Sequence, residues 1–550
     1  MSEPSFRRRA VVIGLDGATW KLLDGFIARG ILPTLGRLRE EGAHGPLWSV
    51  VPPMTATAWT SFQTGKGPGK HGIYDWTEPV AGTYLYRPID STRIQSRTLF
   101  EILSARGARV ATVNLPLTFP ARPIAGVAVG DMLTPSKDTP GFLHPPTFRA
   151  DLDAVAPDYL IDTNLLDSEE DLLPFLGRLR TMIEGKRALV RKLMTDEAWD
   201  VFCCIWVEMD RMQHCIWHII DPTHPAYDAA LAARYEGPIL DVYRSLDACV
   251  AEMVVLRPAD SNVIFISDHG FGPCRYKVFL NTWLAQEGFL TFKAGGHGAR
   301  SRLNAVRGLL DRTGVDTRRL IALARQVGGD AALRFGGDNL SRFASDIDWE
   351  RTQAYCHGTN AIRVNLAGRE PRGSVSRDAL DGVLARLEER LLALRDPEGR
   401  RIIRAVARRE ALYDGPEVGL AADLLITHHD DSVWFYYSEG EVPDTIFEPS
   451  GWSSGNHEPD GLFLGWGPDF VPGARIEDAN IVDILPTLFA TMDTPIPDDV
   501  DGRVLHEVVR ERLRVRWTEA EAWTGHGGAA RDGAVDAAIE ARLRGLGYLQ

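Results

Sequence analysis

The chain has no long hydrophobic run, few cysteines and no excess of positive charge. No stretch of about twenty apolar residues occurs, so no membrane-spanning helix is expected. The six cysteines, Cys203, Cys204, Cys215, Cys249, Cys274 and Cys356, show neither a CxxC pair nor zinc-ribbon spacing. That leaves no pattern for a disulfide framework or a thiolate metal site, and a reduced, cytoplasmic protein is the simplest expectation. Asp and Glu number 75 against 61 Lys and Arg, a net charge of -14. Nothing global is available to neutralise a nucleic-acid backbone, so nonspecific nucleic-acid binding is not expected. The opening MSEPSFRRRAVVIGLDG lacks a signal-peptide h-region, and its short apolar run reads as a first strand. Internal repeats and low-complexity tracts are also missing.

What is present is the composition of an ordinary soluble globular protein. A chain of 550 residues needs one large domain with insertions, or two to three domains. Apolar runs that read as buried strands lie at 9–15, 109–114, 199–208, 262–267, 422–427 and 462–466. Between them run amphipathic helical stretches such as KLLDGFIARGILPTLGRLREEG and EEDLLPFLGRLRTMIEGKRALVRKLM. This alternation predicts an α/β fold, a mostly parallel central sheet flanked by helices. The stretch 286–420 has a different texture. It opens on Gly-rich KAGGHGARS and contains AIRVNLAGREPRG and the charged helix DALDGVLARLEERLLALRD. It reads as an inserted, cap-like region between a first part of the core (1–285) and a second part (421–510). A charged helical tail follows over 511–550. The arginines Arg300, Arg302, Arg307, Arg312, Arg318, Arg319 and Arg325 read first as a solvated helix face, and second as a field that attracts an anionic substrate.

Acids and histidines recur where the apolar runs end. Asp16 follows VVIGL, Asp210 and His214 follow VFCCIWVEM, Asp268 and His269 follow NVIFIS, and His457 stands in GNHEPD. Ligands bind outside the carboxyl ends of strands in open α/β sheets. Three Asp and three His there suit two divalent cations, carboxylates balancing charge and imidazoles favouring zinc-like ions. Thr55 in PPMTATAW is a hydroxyl that metal coordination could turn into a nucleophile. Each piece has a plainer reading. Asp16-Gly17 could be a tight turn, and Thr55 a helix N-cap. Thr57 and Thr60 compete with Thr55 on register. His71, His218 and His224 read as structural, and Lys66 and Lys70 as solvated loop charges.

Taken together and in order, these segments resemble the alkaline phosphatase superfamily, most closely its type I phosphodiesterase/nucleotide pyrophosphatase branch. VVIGLDG resembles its first metal-binding aspartate and PPMTATAWTSFQTGKGPGKHGI its nucleophile segment. EMDRMQH, ISDHGF and GNHEPDGLFLGWGP resemble its remaining ligand elements, and NIVDILPTLFATMDTPIPDDVDGRVL its closing segment. The resemblance implies an alkaline-phosphatase-like core and two metal sites, zinc first and manganese as the alternative. Asp16, Thr55, Asp268 and His269 would hold one ion. Asp210, His214 and His457 would hold the other. It also implies a small phosphate-ester substrate, with no membrane or specific nucleic-acid partner, cleaved through a phosphothreonine on Thr55. A diester is the first choice. A phosphomonoesterase or phosphomutase of the same superfamily is the alternative, and a catalytically silent metal-binding protein is the rival from another class. The chain departs from the branch at one place. The Asn three residues after the nucleophile, which contacts the phosphate, is Ala58 here, followed by Trp59. Lys277, Asn281 and His357 are candidates to replace it, each with a structural reading ahead of the functional one. No Cys-x-Pro-x-Arg segment occurs, which argues against sulfatase chemistry.

Overall fold

The computed structural model describes residues 8–166, 168–293, 344–429, 433–436, 443–521, 523, 525 and 533–549. The arginines from Arg300 to Arg325 considered above lie outside the described residues. The centre is a nine-stranded sheet. Its strands are β1 (Ala10–Leu15), β2 (Ala43–Trp48), β3 (Val110–Val113), β4 (Gly126–Val129), β5 (Leu143–His144), β6 (Val201–Trp206), β7 (Asn262–Ile266), β8 (Asp460–Trp466) and β9 (Ala479–Asn480). They lie in the order β9-β2-β8-β7-β1-β6-β3-β4-β5.

The middle is parallel. β1 pairs with β6 and with β7, placing Leu15 opposite Trp206 and Gly14 opposite Ile266. These three strands are buried along their whole length, which is why they read as unbroken apolar runs. β8 runs antiparallel to β7 and β2, and β5 antiparallel to β4. Helices α1 (Thr55–Thr64), α2 (Leu172–Asp196), α3 (Glu208–Ile220) and α4 (Ala229–Leu256) flank this sheet, and α5 (Gly533–Gly545) packs in a second core.

Three readings from the sequence need correction. The apolar run expected at 422–427 is a strand, Leu424–His428, but not one of the central sheet. It pairs antiparallel with Ala361–Val364 and Ile403–Arg408 in a separate four-stranded sheet. An apolar run reports burial, not which layer buries it. The stretch from Lys21 to Gly42 forms two helices rather than one, Trp20–Ala28 and Pro33–Glu41. Gly30 at φ +69° ends the first turn of chain between them, and Pro33 opens the second helix. The stretch from 511 is only partly helical, since Trp517–Thr518 pairs with Ile496–Pro497 and α5 begins at Gly533. No described helix is long and apolar enough to cross a membrane.

The small sheet and the helix Arg377–Ala393 share a second hydrophobic core. That core also takes in Met54 beside the α1 N-terminus, Trp76, and Ile539, Leu543, Leu546 and Leu549 in and after α5. The chain's last described segment is therefore packed against the same end of the sheet as the start of α1.

One buried ion pair supports the site from beneath. Lys186 of α2 lies fully buried with its Nζ 3.0 Å from Glu208 Oε1, and it donates to the Ile205 carbonyl at 2.9 Å. Glu208 is the first residue of α3. Lys186→Met should strand that carboxylate in the interior and cost about 3–5 kcal/mol. A lowered urea midpoint, partly restored by adding Glu208→Gln, is the expected measurement. An unchanged midpoint would mean that water reaches Glu208.

Candidate metal centre

β7, β1 and β6 are neighbours, and all three end at the same edge of the sheet. Asp16 is the residue after β1, Asp268 and His269 follow β7 by two and three residues, and Asp210 sits in the first turn of α3 just after β6. Strands in a sheet are about 4.8 Å apart, so acids on adjacent carboxyl ends must converge. His214 lies one helical turn beyond Asp210 on the same face of α3, its Nε2 3.4 Å from Asp210 Oδ1. His457 comes from the strand Gly455–Glu458, which pairs antiparallel with Gly270–Pro273 and sets His457 opposite Phe271. Its Nε2 lies 3.2 Å from Asp210 Oδ1. Thr55 is the first residue of α1, after Met54 as N-cap.

The side chains form two groups. Donor atoms of Asp16, Asp268 and His269 lie within 4.8 Å of one another, and so do those of Asp210, His214 and His457. Thr55 Oγ1 joins the first group at 3.3 Å from His269 Nε2. The groups adjoin, with His269 Nε2 4.0 Å from Asp210 Oδ1.

The donors are turned toward shared points. Each histidine has Nδ1 against a backbone carbonyl: His214 on Gly455 at 3.1 Å, His457 on Pro53 at 3.2 Å and His269 on Gly270 at 3.0 Å. Nδ1–H is then the donor, and the Nε2 lone pair is left for a ligand bond. Nε2 of His214 and of His457 approach to 3.0 Å. Asp16 Oδ1, Asp210 Oδ1 and both oxygens of Asp268 are buried without a hydrogen-bond partner. Unpaired buried carboxylates are costly, and bound cations remove that cost.

The titration behaviour has the same origin. Burial, together with the Asp210 charge, raises Asp16 to about 8. Burial and the charges of Asp16 and Asp210 raise Asp268 well above the usual carboxylate range. Burial acts on Asp210 too, but the adjoining His214, His457 and Arg211 outweigh it and hold this carboxyl well below its ordinary value. Burial lowers His269 and His457, favouring neutral imidazoles.

Asp16 is aimed by the sheet itself. The Trp59 indole donates to Asp16 Oδ2 at 2.9 Å. A Cβ at Gly14 would stand 2.5 Å from the Trp59 ring and 2.3 Å from Ile205. Glycine in β1 thus lets α1 lie close enough for the indole to reach Asp16. The turn reading of Asp16-Gly17 holds as well, with Gly17 at φ +71°.

The competing residues other than Thr57 are engaged elsewhere. Thr57 Oγ1 is buried without a hydrogen-bond partner, and Thr60 donates to the Ala56 carbonyl. His71 bonds Ser61, His218 bonds Ser454, and His224 bonds the Cys274 carbonyl. Lys66 and Lys70 pair with Asp499 and Asp501. Lys277 sits over the Tyr436 ring and Asn281 ties down the Cys356 backbone. His357 stacks on Tyr86. The reading from sequence missed Arg211 and Tyr548. Arg211 stands next to Asp210 in EMDRMQH and binds both Asp210 and Asp162. No local signal marks Tyr548, whose hydroxyl lies 3.3 Å from Thr55 Oγ1.

A cavity opens onto the second group, lined by His214, His457, Trp434, Asn456, Asn360 and Tyr548 among others. Trp434 stacks on His214 at 5.8 Å between centroids. Asn360 and Thr359, from the stretch read as a cap, are part of this lining.

Residues 10–460 match the model of the type I phosphodiesterase / nucleotide pyrophosphatase family. Among solved structures, phosphonoacetate hydrolase from Sinorhizobium meliloti in complex with phosphonoformate is similar, with a TM-score of 0.51 and 15% identity over 90% of this chain and 97% of that one. Murine ectonucleotide pyrophosphatase / phosphodiesterase 5 gives a TM-score of 0.47 and 13% identity over 90% of this chain and 98% of that one. At 15% identity the hydrolase likeness concerns the fold alone. No curated protein matches the chain.

Proposed function

The chain belongs to the type I phosphodiesterase / nucleotide pyrophosphatase family, within the alkaline phosphatase superfamily, and from that premise we propose that it is a metal-dependent phosphohydrolase with Thr55 as nucleophile. The observation that carries this reading is a pair of adjoining three-residue donor groups with an available hydroxyl beside the first. Asp16, Asp268, His269 and Thr55 would hold one divalent cation, and Asp210, His214 and His457 the other. When bound, such ions lower the pKa of a hydroxyl or a water and offset phosphate charge. Zinc suits the Asp and His donors, and manganese is the alternative.

The protein's own groups do the remaining work. Thr55 Oγ gives up its proton and attacks phosphorus in line as the bond to the leaving oxygen breaks and that oxygen is protonated, giving a phosphothreonine that still carries the second ester group of a diester. Water then attacks that phosphorus, breaking the bond to Thr55 Oγ, and releases the phosphomonoester (phosphate if the substrate were a monoester) and the free hydroxyl. Thr55 is the first residue of a ten-residue helix, so backbone N–H groups and the helix dipole favour the anionic phosphoryl group beside it. The Nδ1 contacts of the three histidines hold their rings in one tautomer.

The substrate class proposed is a small phosphodiester. Bis(4-nitrophenyl) phosphate should be turned over with a higher kcat/KM than 4-nitrophenyl phosphate. A preference for the monoester would select the phosphomonoesterase reading. Phosphoryl return to an added alcohol, in place of phosphate release, would select the mutase. No turnover by the metal-loaded protein would favour a silent metal-binding protein.

A further inference from the structure

The missing phosphate contact at Ala58 directs attention to what surrounds Thr55 Oγ1. Besides His269 of the first donor group, the hydroxyl of Tyr548 lies there, 3.3 Å away and 493 residues along the sequence. Its position is built, not incidental. Arg211 Nη1 donates to Tyr548 Oη at 2.9 Å. The guanidinium carbon lies 5.2 Å from the centre of the Tyr548 ring, and Trp76 packs on that ring at 4.8 Å. Arg211 is itself immobilised. Its other donors go to Asp210, to both oxygens of Asp162 and to Met132 Sδ.

The backbone that carries Tyr548 is equally fixed. Leu543, Leu546 and Leu549 are buried in the second core. Leu165 N donates to the Gly545 carbonyl, and Arg542 donates to the Met132 carbonyl. A Cβ at Gly545 would lie 2.4 Å from Asn164, and one at Gly547, at φ +79°, 2.6 Å from Leu165. Glycine at both places lets the turn after α5 settle into the site.

The direction of the hydrogen bonds decides the role. A guanidinium has donors only, so Tyr548 Oη must accept from Arg211. Its own O–H is then a donor, and Thr55 Oγ1 lies 3.3 Å from it. An oxygen of a phosphoryl group joined to Thr55 would lie in the same region.

We propose that Tyr548 is a catalytic residue, donating a hydrogen bond to a non-bridging oxygen of the phosphoryl group as it passes to and from Thr55, in the role left vacant at Ala58. Arg211 is its positioning residue. No proton leaves Tyr548; the P–O bond to the leaving group breaks as the Thr55 Oγ–P bond forms, and the tyrosine steadies the charge on the oxygens. The proposal rests on Thr55 being the nucleophile.

The test uses the full chain loaded with zinc. Tyr548→Phe keeps the ring on Trp76 and removes only the hydroxyl. It should lower kcat for the better aryl ester by about a hundredfold, the loss typical of one transition-state donor. It should weaken binding of inorganic phosphate, read by calorimetry, by about tenfold, with the melting temperature unchanged. Arg211→Lys, which loses the planar fork, should show the same kcat loss and should not add to that of Tyr548→Phe. Wild-type kcat and phosphate affinity in Tyr548→Phe would overturn the proposal. So would faster turnover in Tyr548→Ala, which would make the segment a plug. The phosphate arm is read whether or not any ester is hydrolysed. Failure of Thr55→Ala to reduce turnover would instead strike the nucleophile assignment, so the two failures are distinct.

Discussion

Thr55→Ala should reduce hydrolysis by about a thousandfold or more while both metal sites still fill. The reason is that Thr55 contributes one hydroxyl to the site, whereas the carboxylates and imidazoles of Asp16, Asp268 and His269 stay in place without it. Thr55 is the first residue of α1, and its hydroxyl lies against His269 and Tyr548. Stability should change little. Thr57→Ala is the control. Its hydroxyl is buried without a hydrogen-bond partner, so its loss strands no partner and should leave turnover within a few-fold. Acid-quenched protein should carry the phosphoryl group, still esterified when the substrate is a diester, on the wild-type chain during turnover and none on the Thr55 variant. A fast Thr55→Ala enzyme would require another nucleophile, and a slow Thr57→Ala one would shift the register of the loop.

The second large effect concerns the metals. Two divalent ions per chain are expected by elemental analysis, and their removal by a chelator should abolish turnover. His457→Ala should empty mainly the site of Asp210 and His214 and leave the Asp16 site loaded. Activity should fall by more than about a hundredfold, since changes one layer further out already cost about 10–100-fold. Loss of both ions together, or of neither, would contradict two separable sites. Loading should also release protons. Burial raises Asp16 to about 8 and Asp268 well above the usual carboxylate range in the metal-free protein, which favours their neutral, protonated forms. A cation must displace those protons, so affinity should climb as pH rises toward about 8. Calorimetry in buffers of different ionisation enthalpy would count the protons. A pH-independent affinity between 6 and 8 would show that these carboxyls are already ionised.

Much of the site was legible because its pieces carry short-range signals. Asp16, Asp210 and Asp268 each follow a run of residues too apolar for anything but a buried strand. His214 is linked to Asp210 by helical spacing alone. The parallel pairing of β1 with β6 and β7 then places the acids together with no further information. Legibility failed where the pattern was silent about partners. The run at 422–427 showed a strand but not its sheet. Lys277, Asn281 and His357 were candidates only because they stood near the right places in the chain, and their side chains turn to Tyr436, Cys356 and Tyr86.

Local chemistry is what the sequence by itself determined: buried strands, the ligand types at their ends, a hydroxyl at a helix start, and the vacancy at Ala58. Each depends on residues within a few positions of one another. The tertiary structure alone decided which distant groups meet them. His457 reaches the acids through a hairpin-like pairing with the segment after β7. Trp59 reaches Asp16 only because Gly14 has no side chain. Tyr548 reaches Thr55 because burial of Leu543, Leu546 and Leu549 pulls the last described turn into the second core. Apolar burial has no direction in sequence, so where it carries a polar group is settled only when the whole chain has packed.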